Sequence, residues 1–203
     1  MATSSSGVRA NTPNEVRLVE IYFAAAKLIQ EKGFQATSLQ DIAREVGLTK
    51  AGLYHYIPSK ERLLYEIMNY AMDRVDRDVI APAREIEDAE RRLAVIAENY
   101  ARLVVGNQEI TIVLNDIGGL TGAKKRHVNQ RQDAFYQFVR DTIQDLEEQH
   151  KTSGMDVSVL AMSFFGVIRW LAHWYRSNGK LSRERVIEEI RELTACRMMG
   201  LGR

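Results

Sequence analysis

The chain of 203 residues carries a single cysteine, Cys196, so it can close no internal disulfide and holds no cysteine-rich zinc module. It has only three prolines, Pro13, Pro58 and Pro82, which leaves long stretches free to be helical. Excess charge of either sign is also missing. The formal net charge is +1, so whole-chain electrostatics neither demand nor exclude a polyanionic partner, and any nucleic-acid argument must rest on local placement. Long unbroken apolar runs are absent as well. The longest apolar stretch, Val157 to Tyr175, is interrupted by Ser158, Ser163, Arg169 and His173, which predicts a buried helix over a membrane span. Residues 1–14 are small and polar without the apolar core of a signal peptide, and read as a disordered arm. No membrane association is expected, and a reducing, cytoplasmic compartment fits the cysteine count.

Catalysis finds little support. His55, His127, His150 and His173 lack metal-ligand spacing, and no Gly-x-Ser-x-Gly element occurs. The run from Gly118 to Lys125 misses the spacing of a phosphate-binding loop and follows no strand. Cys196 has no catalytic partner nearby in sequence. These absences predict no catalytic residue, no metal and no cofactor, and a protein that is not an enzyme.

What the chain does have is helical periodicity. Leu18, Ile21, Tyr22, Ala25, Leu28 and Ile29 recur at three- and four-residue spacing, with Gly33 where a helix should stop. Ser38-x-x-Asp41 forms a capping-box pair for a second helix ending at Gly47. A third helix runs from about Lys50 to Tyr56, and Pro58 stops it by disfavouring helical backbone at Ile57. A fourth, capped by Ser59, is expected to reach Pro82. Longer helices follow, over 86–105, 109–117, 124–149, 157–177 and 183–199. The fold class is therefore all-α with about nine helices: a helix-turn-helix domain over 15–60 and a larger domain over 61–203.

The segment from Ser38 to Tyr56 carries the most specific signal. Two helices crossing at a tight turn need a small residue at their closest approach, which Ala43 supplies, and a residue tolerant of left-handed backbone four positions later, which Gly47 supplies. Ile42, Val46, Leu48, Leu53 and Tyr56 fall on one face. This is the spacing of a DNA-binding helix-turn-helix. With Leu53 and Tyr56 turned inward, the second helix exposes Lys50, Ala51, Tyr54 and His55. Ala51 and Gly52 permit close approach to base edges and backbone, Lys50 reaches guanine acceptors or a phosphate, and Tyr54 donates to a phosphate. Thr49 caps this helix, and its free amides face the same polyanion. Lys60 is badly placed for its own helix dipole but well placed for a phosphate.

The stretch from Phe34 through Ser38, Ile42, Gly47, Thr49, Lys50, Tyr54, Pro58 and Lys60 to Leu64 resembles the signature of TetR/AcrR-type regulators over about residues 15–67. That resemblance implies a three-helix DNA-binding domain with Lys50–Tyr56 as recognition helix. It implies phosphate contact at Thr37, Thr49, Tyr54 and Lys60, with Ser38 beside them, and base approach at Lys50, Ala51, Gly52 and His55. Tyr56 and Ile57 depart from the family's usual His-Phe or Tyr-Phe. One such motif makes few contacts, so binding operator DNA calls for a homodimer presenting two half-sites spaced by a multiple of roughly 34 Å.

In the larger domain, Val186, Ile190, Leu193 and Met198 line one face of the last helix. The helix before it is apolar on several faces through Leu160, Met162, Phe164, Phe165, Val167 and Ile168. These two helices are the expected homodimer interface, as a four-helix bundle, although the same residues also suit plain core. The segment from Ile168 to Glu184 resembles a TetR subgroup that regulates fatty-acid and steroid breakdown and includes acyl-CoA-responsive members. That resemblance points to Arg169, Trp170 and His173 as ligand-facing. Tyr100, Val104, Ile112, Leu114, Phe135 and Phe138 suit an apolar tunnel or, equally, a core. A buried Arg169 needs a partner, for which Asp116 or a ligand anion is available.

The reading is a ligand-responsive regulator, a repressor as is commonest in that family, released from DNA by a small hydrophobic effector such as an acyl-CoA. Two alternatives stay open at this point. One is a DNA-binding protein of the same fold that recruits a protein and has no effector. The other is a repressor answering to lipophilic drugs.

Overall fold

The structure, a computed structural model, describes residues 12–114, 117–150 and 154–200, the side chains of residues 113, 114, 117 and 150 excepted. Every regular element among the described residues is helical. Helix α1 (Pro13–Lys32) starts inside the stretch expected as an arm. Proline at its first turn costs no hydrogen bond, and Thr12 with Glu15 forms a capping box. α2 (Leu39–Glu45) and α3 (Lys50–Tyr56) follow, each opened by the expected cap. Ser38 accepts from the Asp41 amide, and Thr49 Oγ1 accepts from the Gly52 amide at 3.0 Å. The turn between them has Gly47 at φ 66°, and the Leu48 amide closes back on the Ala43 carbonyl at 2.8 Å. Ile57 is extended ahead of Pro58, as the proline requires.

α4 (Lys60–Val75) does not end at Pro82. A wide π turn, Asp76–Ile80, runs straight into α5 (Ala81–Arg84), where Pro82 sits in the first turn. Right-handed helical backbone at Asp76, Ile80 and Ala81 makes the three segments one rod. The widened turn falls just before Pro82 and accommodates its missing N–H and its ring, so the proline bends the ladder instead of breaking it. Counted as one rod, these leave nine helices among the described residues.

The second half is arranged around α6 (Ala89–Gly106), whose Leu93, Ile96, Ala97, Tyr100, Ala101 and Val104 are all buried. α8 (Gly122–His150), α9 (Val157–Trp174) and α10 (Arg183–Arg191, continued by a π turn Glu192–Arg197) pack around it. Arg92 ties α6 to α8 through Thr142 and Asp145. α9 is long and apolar enough to cross a membrane by length and composition, but it packs against α6, α7 and α8 inside the domain. α7 (Gln108–Leu114) is the bridge between the halves: it packs on α1 and α4 on one side and on α9 on the other. Gln108 anchors its start by donating to the Tyr175 carbonyl at 2.9 Å, just past the end of α9.

Candidate DNA-binding surface and effector clefts

The apolar side of α2 and α3 is sunk into the core through Ile42, Ala43 and Leu53, while Val46, Leu48 and Tyr56 are half-buried against it. That orientation leaves Thr49, Lys50, Ala51, Tyr54 and His55 exposed along one face. Lys50 Nζ lies 5.9 Å from the centroid of Tyr54, so ammonium and phenol point outward as a pair. Ser38 is exposed but engaged with Asp41 in its capping box.

Three residues of the expected DNA face do something else. Thr37 is 1% exposed, and its hydroxyl donates inward to the carbonyls of Gly33 at 2.9 Å and Leu28 at 3.3 Å. It ties off the end of α1 and does not face outward. Lys60 donates from Nζ to the carbonyls of Phe34 at 2.9 Å and Gln35 at 3.1 Å, over the Phe34 ring. Two of its three protons therefore hold the α1–α2 turn. Gly52 turns its bare Cα toward its own cap: an added Cβ there would lie 3.2 Å from Thr49 Oγ1. The glycine makes room for the Thr49 cap, a local need that stands beside the close approach to DNA expected of it. Lys27 on α1 pairs with Glu45 at the end of α2, at 3.2 Å.

The expected ligand residues separate into three groups. Tyr100, Phe135 and Arg169 come together in the second half, while Val104, also buried, lines the space on the other side of Tyr100. Tyr100, Phe135 and Phe165 meet edge-to-face, with centroids 5.1–5.9 Å apart. Arg169 Nε donates to the Tyr100 hydroxyl at 3.1 Å. Burial pushes the Tyr100 pKa up, which keeps its hydroxyl protonated. Phe138 is half-buried on α8 and packs in the core. Trp170 and His173 face outward: Trp170 is 60% exposed, with the His173 ring tilted against it at 4.7 Å between centroids. Phe165 and Ile168 take the buried side of α9, Arg169 stands at its border, and Trp170 and His173 fall beyond it, so these two belong to a surface. Asp116 and the side chain of Leu114 lie outside the described residues.

Two cavities meet at Tyr100. A narrow apolar slot, about 20 Å³, runs between α4, α6 and α7 past Ala71, Val75, Leu103, Val104 and Ile110. A wider cleft of about 360 Å³ lies between α8 and α9, past Gln132, Phe135, Phe165 and Arg169. Tyr100 and Val75 line both. In the other direction the slot shares Arg74, Leu103 and Asn107 with a surface cleft of about 610 Å³ that also holds Arg77, Arg102 and Arg183. Arg74 and Arg77 are paired with Asp78 and Arg102 with Glu98, while among the described residues Arg183 donates to the Arg102 carbonyl and pairs with no carboxylate. The sequence reading missed this basic mouth. Its arginines come from three segments more than twenty residues apart, and each looks like one charge on a solvated helix face.

The apolar residues expected at a dimer interface are also sorted. Leu160, Phe164, Phe165, Ile168, Val186 and Ile190 are buried within the chain itself, so for these the plain core reading holds. The uncovered apolar side chains on α9 and just beyond are Val159, Met162, Trp170, Trp174 and Leu181, with Leu193 on the α10 extension. Among the described residues, no group of three or more His, Cys, Asp or Glu side chains is placed to hold a metal.

Comparison with known proteins agrees with this geometry. Residues 21–67 match the family of bacterial regulatory proteins of the tetR type, and residues 87–198 match the tetracyclin repressor-like C-terminal domain. The chain is 25% identical over 181 residues to the transcriptional repressor KstR2 of Rhodococcus jostii, covering 85% of this chain and 86% of that one. It is 20% identical over 184 residues to the fatty acid metabolism regulator protein of Bacillus subtilis, covering 87% and 93%. Among solved structures it resembles AibR in complex with isovaleryl coenzyme A and operator DNA, at 31% identity and a TM-score of 0.78, covering 87% of this chain and 97% of that one. An exposed recognition helix, a bridging α7 and a helical body holding cavities, matched along nearly the whole length, have one meaning: the chain belongs to the TetR family and is a DNA-binding transcriptional regulator.

Proposed function

We propose that this protein is a homodimeric repressor released from its operator by an acyl-CoA. The observation that carries the effector class is the join between the slot and the basic cleft. An acyl chain wants an apolar lining, and the coenzyme's phosphates want guanidinium groups at its mouth. Arg74 sits on the boundary of both, with Arg77, Arg102 and Arg183 further out. Likeness to AibR, whose complex holds isovaleryl coenzyme A, supports the same class. The slot has about the room of a single water, so an acyl group enters only by pushing its walls apart. One of those walls is α7, through Ile110 and Thr111, and α7 bears on α1 and α4. A ligand that prefers the opened slot thus favours a different setting of the recognition helices, which is the differential affinity that release requires. The outward apolar side chains on α9 and the α10 extension suit a second copy of the chain, and two copies provide the phosphate contacts that one helix-turn-helix lacks.

The test is fluorescence anisotropy on the protein's own promoter DNA, titrated with and without acyl-CoA and with free coenzyme A as control. Tight, salt-sensitive binding abolished by an acyl-CoA is the expected result. Binding indifferent to every acyl-CoA removes the effector class and leaves the regulator.

A further inference from the structure

The cleft on the far side of Tyr100 has a chemistry that a plain hydrocarbon chain does not use. Arg169 reaches into it from α9, half-buried, with its guanidinium 5.7 Å from the Phe165 centroid and its Nε on the Tyr100 hydroxyl. Among the described residues it forms no ion pair with a carboxylate, and the bond from Nε to Tyr100 is its one hydrogen bond to protein. Asp133 lines the same cleft but does not pair with it. Tyr100, 3% exposed, accepts from Arg169 and keeps its own proton to give. The terminal nitrogens of Arg169 and the Tyr100 proton are thus donors beside one cleft, and among the described residues none of them is given to an acceptor.

Resting on the acyl-CoA reading above, we infer that the effector's acyl group ends in an oxygen-bearing group, a carboxylate or a carbonyl, received by Arg169 and Tyr100. A methyl terminus pushed past Tyr100 would strip water from the guanidinium and return nothing. An anionic or carbonyl oxygen would accept a charge-assisted pair of hydrogen bonds there. Basic mouth, slot and cleft follow one another through shared walls, Arg74, Leu103 and Asn107 first and then Tyr100 and Val75, so an acyl group that opens the slot comes up against Tyr100 and Arg169. Specificity of this kind is strong, because a site built to donate hydrogen bonds rejects the analogue that cannot accept them.

The experiment is isothermal titration calorimetry of the full-length protein with matched thioester pairs. The pairs are valeryl-CoA against glutaryl-CoA and octanoyl-CoA against suberyl-CoA, with free coenzyme A alongside. In at least one pair the carboxylate-ended ester should bind at least about tenfold tighter. Arg169→Met should erase that preference, and Tyr100→Phe should reduce it in part. Equal wild-type affinity within both pairs overturns the inference and leaves the acyl-CoA reading standing. An Arg169→Met protein that keeps the preference but loses its dimer by light scattering also overturns it, and assigns Arg169 to the subunit interface. If no ester binds better than free coenzyme A, the acyl-CoA reading falls and takes this inference with it.

Discussion

Glu61, in the first turn of α4, holds Lys124, in the first turn of α8, at 2.6 Å across the boundary between the two halves of the molecule. The same carboxylate accepts from the amide and hydroxyl of Thr121, at 3.1 and 2.8 Å. Residues 60 links away in sequence are thus clasped at one point. Immediately beside this clasp Gly119 lies against Phe34, and Phe34 lies beneath Lys60. The short run 117–121 therefore touches the two segments that set the helix-turn-helix on the body.

The clasp gives a pH dependence. Bonds from Lys124 and then Thr121 hold the Glu61 pKa down from 4.5 to about 2. A carboxylate whose folded pKa is depressed stabilises fully above the unfolded value and loses that contribution as pH falls from about 4.5 toward 2. Glu61→Gln should therefore melt below wild type at pH 7, with the gap narrowing at pH 3. A gap that stays constant with pH would show that shape, and not charge, holds the clasp.

Gly119 is required by space. An added Cβ would lie 2.4 Å from Phe34 Cε1 and 2.6 Å from Leu64 Cδ2, both on packed side chains. Gly119→Ala should cost about 1–3 kcal/mol of stability, as overpacking does, and should also disturb operator affinity by moving Phe34. Urea unfolding and anisotropy measure the two effects; an unchanged midpoint would mean that the turn yields freely.

Thr37→Val keeps the shape and removes a buried hydroxyl that serves two carbonyls. The expected loss is about 1–2 kcal/mol in chemical denaturation, with the salt dependence of operator binding unchanged. A flattened salt slope at full stability would instead place Thr37 at a phosphate.

Lys50 and Lys60 should behave differently. Lys50→Ala removes an exposed cation from α3 and should weaken operator binding, flattening the log–log salt slope by about one unit if it meets a phosphate. Lys60→Ala should first cost about 1 kcal/mol of stability by freeing the Phe34 and Gln35 carbonyls. Denaturation beside a salt titration of each variant separates these roles, and a stable Lys60→Ala protein with a slope lower by one would make Lys60 a phosphate contact after all.

Trp170→Glu places a charge on the outward face of α9, where the indole is 60% exposed and Met162 62%. Within one chain this should be nearly neutral. In light scattering the variant should run as a monomer, with operator affinity lower by orders of magnitude. A variant that remains a dimer at micromolar concentration would free this face for another role.

Much of the molecule was legible from local chemistry alone. Capping boxes at Ser38, the Thr49 and Ser59 caps, positive φ at Gly33 and Gly47, and the Pro58 stop act within four residues of one another, so a linear pattern determines them. The inward turn of Ile42 and Leu53 follows from helical period, and it leaves Lys50, Tyr54 and His55 looking outward. What only the tertiary structure decided is where long polar side chains end. Thr37, Lys60 and Arg169 have the composition of ligand contacts, but their protein partners are set by packing: carbonyls at the end of α1 for the first, carbonyls of the α1–α2 turn for the second, a phenol 69 residues away for the third. Apolar residues on α9 behave likewise, because a helix apolar nearly all round does not say which side its own domain covers. Phe165 went in and Trp170 out by the placement of α6 and α8, and Pro82 was absorbed by a π turn that only a continuous rod against α6 makes worthwhile. Sequence patterning determines what each element is; the meeting of elements distant in sequence decides what each polar group touches.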